Sequence, residues 1–537
     1  MKKVALFTMT VLFVHSAKAQ LQAPTNLFQV LGYSATLPSG TMPSIYQYNG
    51  SEASPKGAGA NLYVASNFKG VPSILQLSGA LNSSIATALS VIPLASPASG
   101  VVYRTDPATG GPLPVSYTLG PIFTERAETV GKHKVYIGVS NQDFHFTSFN
   151  GRSLNGFNVL DLGGQTSNIL INGAQKLTYP ATFQIGMGIR LSQNMAFITL
   201  GLTNRFDVSV GLPVVHAAVR AATSDGMIYV GNGLNNYTQP LGNCWCVDTF
   251  TPASNPLAAA NGLGGLVLPQ IGSDRLGKNG FGDVLLRFKG AVFESLSTTV
   301  AVGTDLRLPT GDAQNYLGTG TTSVRPFLAV SRYTKPLSHD IVFSPHLNVG
   351  WQFSGKSILG GQLQGTCQVV TWSGDTITNV SNVGQPGEGT CPSVTLASNQ
   401  VTNFGPPFVL TKDYLPDVFS WAGGTEVALG KHNTIVVDVL GNQIGWIHGI
   451  QNMNFQSVPQ QVPAPSTSST PVLQLPSGFV NAGRVAFGEY SGAFGYKVRI
   501  ARNLVATFNM LVRFDNNDLT ARAVPLYGLS YTFGESR

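Results

Sequence analysis

The chain has 537 residues, and charged residues make up only 11% of it, against about 25% in soluble domains. It contains 61 Gly residues, and beyond residue 20 no run approaches the roughly 18 apolar residues that a membrane helix requires. These values argue against an ordinary soluble domain and against a helical membrane protein. No basic run stands out among the 32 Lys and Arg residues, so we expect no nucleic-acid partner.

The first 19 residues have the pattern of a secretory signal. Lys2 and Lys3 precede an apolar run from Val4 to Val14, and Ala17-Lys18-Ala19 forms a small-x-small cleavage site. The apolar run is too short to span a membrane. We therefore expect residues 1–19 to be a signal peptide and the mature chain to begin near Gln20 in an oxidising compartment.

Four cysteines follow the signal, and an even number in an exported chain predicts disulfides. Cys367 and Cys391 flank a polar loop rich in Gly and Thr, and we expect them to pair. Cys244 and Cys246 are also disulfide candidates, although a bridge between residues two apart would be strained. No His or third Cys stands at ligand spacing, so we expect no metal site.

The segment from Ile341 to Phe353 changes character at every residue. Its odd positions are apolar and include Trp351, whereas its even positions include Ser344 and His346. Side chains alternate faces along a strand, so this segment has one apolar and one mostly polar face. Its length fits a strand that crosses a bilayer at a tilt.

The same alternation, bounded by turn residues, recurs along the chain. It predicts about twelve strands at 133–148, 183–202, 206–219, 281–293, 297–309, 323–334, 338–354, 415–429, 433–443, 483–500, 504–514 and 523–533.

The connections between these strands alternate in length. Tight turns such as 203–205 and 430–432 alternate with longer polar loops, of which the longest are near 220–280 and 355–412. This asymmetry is typical of bacterial outer-membrane barrels, whose tight turns face the periplasm. We therefore predict an all-β fold, a transmembrane antiparallel β-barrel of about 12 strands (10–14) over residues 131–533, with a tail at 534–537. A large secreted β-sandwich array or β-helix is the alternative, which no fixed-period repeat supports.

Charged and polar residues mark the inner face of the predicted strands. In strand 281–293, for example, Leu286 and Phe288 oppose Arg287 and Lys289. A charge on the lipid face near the midplane would cost about 2–4 kcal/mol, so we expect a polar lumen. These residues either pair and stabilise the barrel or act directly in solute passage, and both interpretations stay open. The lumen-facing candidates are Asp283, Arg287, Lys289, Asp305, Arg307, His346, Asn348, Gln352, Glu426, Asp438, Glu489, Lys497, Arg499 and Arg513.

Residues 20–130 show no clear alternation. Within them, Leu81, Ile85 and Leu89 continue an apolar stripe at helical spacing, which predicts a helix over 73–91. Pro72 precedes this helix and Pro93 follows it, and proline is common at both of these positions because it does not fit the interior of a helix. Three arrangements stay open: a plug inside the lumen, which we favour, a helix packed beneath the barrel, and a loosely ordered leader.

Several short segments carry a resemblance to a known family. They are Gly120-Pro121-Ile122, residues 125–129, 201–210, 280–283, 308–312, 415–417 with Ala422-Gly423, and 528–533. In order and spacing they resemble the outer-membrane transporters of the meta-pathway of phenol degradation family, distant relatives of the FadL-like transporters. The resemblance covers residues 119–533 and implies passive uptake of small hydrophobic or aromatic compounds. The aromatic strand that ends at Phe533 also looks like the signal that barrel-assembly machinery recognises.

These observations together predict an outer-membrane channel or passive transporter in a Gram-negative bacterium, serving small hydrophobic or aromatic compounds. A general hydrophilic porin and a surface-loop binding or adhesion barrel are the alternatives. We expect no enzymatic activity, because no Gly-x-Ser-x-Gly elbow accompanies Ser344 and His346, and we expect no cofactor. The expected partners are outer-membrane lipids, the barrel-assembly machinery and a small solute. The sequence assigns neither the solute nor the oligomeric state.

Overall fold

The structure is a computed structural model. It describes residues 46–48, 60–66, 73–93, 103–105, 112–114, 118–161, 167–171, 174–230, 246–249, 278–295, 297–334, 341–373, 376–384, 392, 394–397, 400–430, 432–453, 458–459, 472–473, 479–501 and 503–533. The predicted signal peptide, the tail at 534–537, Cys244 and Cys391 lie outside the described residues.

Twelve strands form a closed antiparallel barrel, which confirms the predicted fold class. They are β1 (Val135–Phe146), β2 (Ala174–Gly201), β3 (Phe206–Val230), β4 (Val284–Glu294), β5 (Thr298–Leu308), β6 (Ser323–Arg332), β7 (Ile341–Ser354), β8 (Val418–Leu429), β9 (Asn433–Met453), β10 (Phe479–Ala501), β11 (Leu504–Arg513) and β12 (Ala523–Phe533). Each strand pairs with the next, and β12 closes the ring on β1, where Leu529 lies opposite Val139.

Four of these strands extend further than the alternation predicted. β2, β3, β9 and β10 contain 21 to 28 residues, about twice the length that crosses a bilayer. The β2–β3 hairpin stays paired out to Thr178 opposite Val230. Ladder hydrogen bonds join backbone groups and do not require alternating side chains. The pairing therefore continues beyond the part of the hairpin that the hydrophobic pattern marks.

The outer surface of the barrel is apolar. On β11, Phe508, Met510 and Val512 are exposed, whereas Thr507 and Asn509 between them are buried. Exposed aromatic side chains also cluster on β7 and β8, where the Trp351 and Phe419 rings lie 5.6 Å apart. A continuous exposed apolar band around a closed sheet is the surface that a lipid bilayer covers.

One helix, α1 (Ser73–Val91), precedes the barrel, so the N-terminal segment is partly helical as the sequence predicts. Its described side chains from Gly79 onward are buried or half-buried. No helix among the described residues is long and apolar enough to cross a membrane.

Shorter elements lie outside the twelve barrel strands. A 3₁₀-helix covers Ala313–Asn315, and Leu363–Ser373, Thr376–Gly384 and Gln400–Leu410 form a three-stranded sheet in the longest loop. The remaining short strands are Tyr46–Tyr48, Ala60–Ser66, Tyr103–Thr105, Pro112–Pro114, Ser148–Phe149, Arg152–Ser153, Phe157–Asp161, Ser167–Ile171, Cys246–Thr249, Asn279–Phe281, Lys356–Ser357, Asp413–Tyr414, Val458–Pro459, Val472–Leu473 and Leu519–Thr520.

The inner wall corrects the expectation of a polar lumen. Phe144 and Phe146 of β1, Ile189 of β2, Leu511 of β11 and Val524 of β12 are buried in one apolar cluster with α1. The polar and charged inward residues concentrate on β4 to β10 instead. The inner wall thus has an apolar sector and a charged sector. Alternation in the sequence could not predict this division, because an apolar residue that faces the lumen has the same sequence pattern as one that faces lipid.

Candidate functional site

Residues 118–130, which we name the crossing segment, run across the inside of the barrel near its tight turns. Four of their backbone N–H groups donate to side chains on four different strands: Leu119 N to Thr434 Oγ1 at 3.1 Å, Gly120 N to Glu426 Oε2 at 2.9 Å, Ala127 N to Ser331 Oγ at 3.0 Å, and Val130 N to Asp207 Oδ2 at 2.8 Å. These acceptors lie on β9, β8, β6 and β3. The segment therefore bridges the lumen from one side to the other.

Two side chains of the crossing segment form buried ion pairs with the wall. Glu125 lies 2.5 Å from Arg287 Nη1 and 2.7 Å from Lys289 Nζ. Arg126 lies 3.0 Å from Glu426, and both side chains are at most 3% exposed. Charges this far from water persist only when a partner is held in place. The segment thus supplies the opposite charges that the buried charges of the wall need, and the wall does the same for the segment.

Wall lysines also bind the backbone of the crossing segment. Lys289 Nζ donates to the carbonyls of Arg126 at 2.9 Å and Glu128 at 2.8 Å. Lys497 Nζ donates to the carbonyl of Pro121 at 2.6 Å. Buried carbonyls require donors, so these two lysines satisfy a stretch of chain that has no regular secondary structure.

The network continues along the charged wall. Asp305 accepts from Arg287 at 2.6 Å and from Arg325 at 2.5 Å, so one carboxylate serves two guanidinium groups. His346 Nε2 lies 2.8 Å from Asp438, and its Nδ1 lies 3.7 Å from Glu426. The charges of β4 to β9 are thereby linked to one another and to the crossing segment.

α1 lies toward the long-loop end of the barrel and is held differently. Leu81 and Ile85 are at most 1% exposed and pack in the apolar cluster that includes Phe144 and Phe146. Leu89 joins the same cluster. At about 1.5–3 kcal/mol for each fully buried large apolar side chain, this packing is the main attraction that holds α1 in place.

A few polar contacts fix the rotation and height of α1. Two contacts join helix residues to loops: Ser84 Oγ donates to Asp518 Oδ1 at 2.7 Å, and Tyr316 Oη donates to Asn82 Oδ1 at 2.8 Å. A third joins β1 to the chain just after the helix, where Gln142 Nε2 donates to the Pro93 carbonyl at 2.8 Å. At its C-terminal end, Arg307 donates to the carbonyls of Leu89 at 2.9 Å and Ser90 at 3.2 Å. A cation at this position satisfies two carbonyls at the helix end and interacts favourably with the helix dipole.

A chamber of about 160 Å³ lies between α1 and the crossing segment. The C-terminal end of α1 lines it from one side, and Phe123 to Glu125 of the crossing segment line it from the other. One wall is apolar and includes Phe144 and Phe146, whereas the opposite wall carries Arg307 and Arg325. The chamber is therefore amphipathic and lies where a solute would have to pass between the two ends of the barrel.

All fourteen polar candidates from the sequence are buried or half-buried in the structure. Eight belong to the network around the crossing segment: Arg287, Lys289, Asp305, His346, Asn348, Glu426, Asp438 and Lys497. Glu489 and Arg513, on the neighbouring strands β10 and β11, form a separate pair at 2.9 Å on the chamber wall, and Gln352 also lines the chamber. Arg307 holds α1. Their part in solute passage stays a prediction.

Two candidates belong neither to the network nor to the chamber lining. Asp283 accepts from the backbone N–H groups of Gly311 at 3.0 Å and Thr319 at 2.7 Å, so it orders the loop after β5. Arg499 lies at the tight-turn end of β10, where its backbone N–H donates to the His432 carbonyl at 2.8 Å. Neither residue lines the chamber.

Sequence reasoning missed several members of the site. Asp207 and Arg325 alternate with apolar residues and carried the same signal as the chosen candidates. Glu125 and Arg126 lie in a segment without periodicity, and the family resemblance alone singled them out. The apolar chamber residue Phe144 had no sequence signal, because alternation cannot show which apolar face meets a helix.

Two further features of the sequence are a buried cysteine and a glycine-rich motif. Cys367 is fully buried and is not a free thiol, but its pairing with Cys391 stays a prediction. Gly350 to Ser357 match the letters of a phosphate-binding loop, yet Lys356–Ser357 pairs as a strand with Asp413–Tyr414 instead of starting the helix such a loop needs. Over the described part of the chain, no three His, Cys, Asp or Glu side chains could hold a metal ion.

No family model matches the chain, and no curated protein matches it. An outer membrane channel from Pseudomonas putida F1 is 9% identical with a TM-score of 0.35, covering 76% of this chain and 98% of its own. The CymD monoaromatic hydrocarbon channel is 7% identical with a TM-score of 0.27, covering 76% and 90%. The NanC porin is 8% identical with a TM-score of 0.26, covering 74% and 98%. Similarity at this level carries no conclusion about transport, and the resemblance to the meta-pathway family stays a prediction.

Proposed function

We propose that this chain is an outer-membrane channel that lets small apolar compounds, aromatic ones included, enter passively. The observation that carries the proposal is the chamber between α1 and the crossing segment. Its volume of about 160 Å³ is close to the about 150 Å³ of an apolar cavity in another protein that binds benzene. The walls of Phe144 and Phe146 give such a compound apolar surface inside the barrel.

The charged sector supports this proposal over that of a general hydrophilic porin. Most of its charges are compensated by one another and by the crossing segment, as in the Arg126–Glu426 and Arg287–Asp305 pairs. Such pairs occupy the lumen where a porin would hold water. In this proposal the charged sector fixes the crossing segment, and the apolar sector provides the route.

The proposal includes the orientation and environment of the barrel. The tight turns lie in the periplasm, the long loops lie outside the cell, and the exposed apolar band contacts outer-membrane lipid. The barrel-assembly machinery inserts the chain after the signal peptide is removed, and Cys367 pairs with Cys391 in the long loop. α1 is the plug of the channel.

Solute flux into liposomes that contain the purified full-length protein tests the proposal. We expect a radiolabelled aromatic compound to enter faster than into protein-free liposomes, while a small sugar enters at the protein-free rate. Phe144→Trp should fill the chamber and lower aromatic flux several-fold, whereas Phe508→Trp on the lipid face is the matched control and should not. Fast sugar entry would show an open water-filled pore and would contradict the proposal.

A deletion tests the role of α1 separately. Removing residues 24–117 takes away α1 but keeps the crossing segment and its ion pairs. We expect the ion conductance in planar bilayers to rise above that of the full chain. Equal conductance in the two proteins would show that α1 does not plug the channel.

A further inference from the structure

We propose that the chamber selects small amphipathic anions, with an aromatic or aliphatic body and one carboxylate- or sulfonate-type group. This inference rests on the proposed function and names the substrate class of the same chamber. The anionic group would lie against Arg307 and Arg325, and the apolar body against Phe144 and Phe146. All four side chains line the chamber.

Arg307 is a cation whose nearest partners are carbonyls. Its Nη1 and Nη2 donate to Leu89 and Ser90 at the end of α1. None of the ion pairs among the described residues includes Arg307, and Asp283 and Asp305 attract it only from a longer distance. A guanidinium has five N–H donors in a planar fork, so two bonds to carbonyls leave it able to bind an anion as well.

Arg325 shares its carboxylate with another arginine. Asp305 already accepts two bonds from Arg287, at 2.6 Å and 3.0 Å, before it meets Arg325 at 2.5 Å. The side chain of Arg325 is 32% exposed, whereas that of Arg287 is 5% exposed. Arg287 also pairs with Glu125, but Glu125 is shared with Lys289. Three cations thus meet two carboxylates within 3.0 Å, and Arg325 is the most exposed of the three and lines the chamber.

The charge balance of the whole lining agrees with this view. Four arginines and three carboxylates line the chamber: Arg287, Arg307, Arg325 and Arg513 against Glu125, Asp305 and Glu489. The lining thus carries one net positive charge at pH 7. A planar guanidinium matches a carboxylate or sulfonate in two parallel hydrogen bonds, which a neutral solute cannot form.

Calorimetric binding to the purified full-length protein in detergent tests the inference with three probes of similar size. They are benzenesulfonate, which is always anionic, phenyltrimethylammonium, which is always cationic, and neutral toluene. We expect benzenesulfonate to bind more tightly than the other two. Arg307→Gln and Arg325→Gln should each weaken benzenesulfonate binding about tenfold or more, the usual size of a lost bond to a charged group. Arg332→Gln, an exposed arginine on the same strand as Arg325, is the matched control and should bind as the wild type does.

The outcomes separate this inference from the proposed function. If toluene binds and benzenesulfonate does not bind more tightly than phenyltrimethylammonium, the anion preference is wrong while the apolar channel stands. If none of the three probes binds, both are wrong. Because Arg307 also holds α1, toluene binding to Arg307→Gln reports whether the chamber is intact. If toluene binding is lost there, Arg325→Gln decides: unchanged benzenesulfonate binding in that variant overturns the inference.

Discussion

The crossing segment and α1 are held to the same barrel by different chemistry. The crossing segment has no regular secondary structure and is held by buried ion pairs and by donors to its backbone, such as Lys497 to the Pro121 carbonyl. α1 is a regular helix that satisfies its own backbone and is held by apolar packing around Leu81 and Ile85. Buried ion pairs are directional and fix one geometry, whereas apolar contact is not directional. We therefore expect the crossing segment to stay fixed relative to the barrel wall and α1 to be the part that moves.

Breaking the buried ion pair under the crossing segment should have the largest effect. Glu426→Gln leaves Arg126 buried, with Glu128 at 3.9 Å as its remaining carboxylate. We expect a loss of about 3–5 kcal/mol in the free energy of unfolding, because removing one partner of a buried ion pair costs that much. Denaturant titration in lipid vesicles measures this change, and bilayer conductance should rise as the segment loosens.

The exposed pair between Arg190 and Asp143 provides the matched control for that experiment. The Arg190 side chain is 56% exposed, so Asp143→Asn should cost about 0–1 kcal/mol. If both variants lost the same free energy of unfolding, the crossing segment would not be held by charge.

Weakening the apolar attachment of α1 should come next in size. Ile85 is fully buried, and Ile85→Ala removes about 2–5 kcal/mol of packing. Because this loss falls on the docking of α1, we expect conductance to rise while the thermal midpoint of the barrel stays near that of the wild type. Val512→Ala on the lipid face is the control and should leave conductance unchanged. A lower barrel midpoint without a change in conductance would show that α1 is part of the barrel core.

The smallest effect should be a pH dependence at the polar contact between α1 and a long loop. Burial first and the nearby Glu489 second raise the pKa of Asp518 to about 7, against the lowering effect of the Ser84 hydrogen bond and of Arg513. The folded state thus binds a proton that the unfolded state releases near pH 4. The contribution of protonated Asp518 to the free energy of unfolding is therefore complete below pH 4 and is lost as the pH rises through 7.

We therefore expect wild-type protein to lose stability relative to Asp518→Asn as the pH increases from about 5 to 8. Thermal midpoints of both proteins across that interval measure the difference. A constant difference across the interval would show that Asp518 does not titrate there.

Much of the barrel could be predicted from local pattern. On β7 and β11 polar positions alternate with apolar ones. The structure buries polar side chains such as His346 and Asn509 and exposes apolar ones such as Trp351 and Met510. Helical spacing and flanking prolines located α1 at 73–91, which is where the helix lies. These features depend on neighbours in sequence, so the sequence contains them directly.

The site depended on contacts between distant residues. Glu125 lies 162 positions before Arg287, and Arg126 lies 300 before Glu426. Nothing local to either member of these pairs reveals its partner. Likewise, Phe144 looks like a lipid-facing residue until α1 is placed beside it.

The sequence by itself determined the class of fold, the number of strands and the position of the helix, because side-chain periodicity follows from backbone geometry within each element. Only the tertiary structure decided that the lumen has an apolar and a charged sector and that α1 and the crossing segment leave a chamber between them. The physical reason is that burial of a charge or an aromatic ring depends on what packs against it, and in a closed barrel that partner comes from the opposite side or from a segment hundreds of residues away.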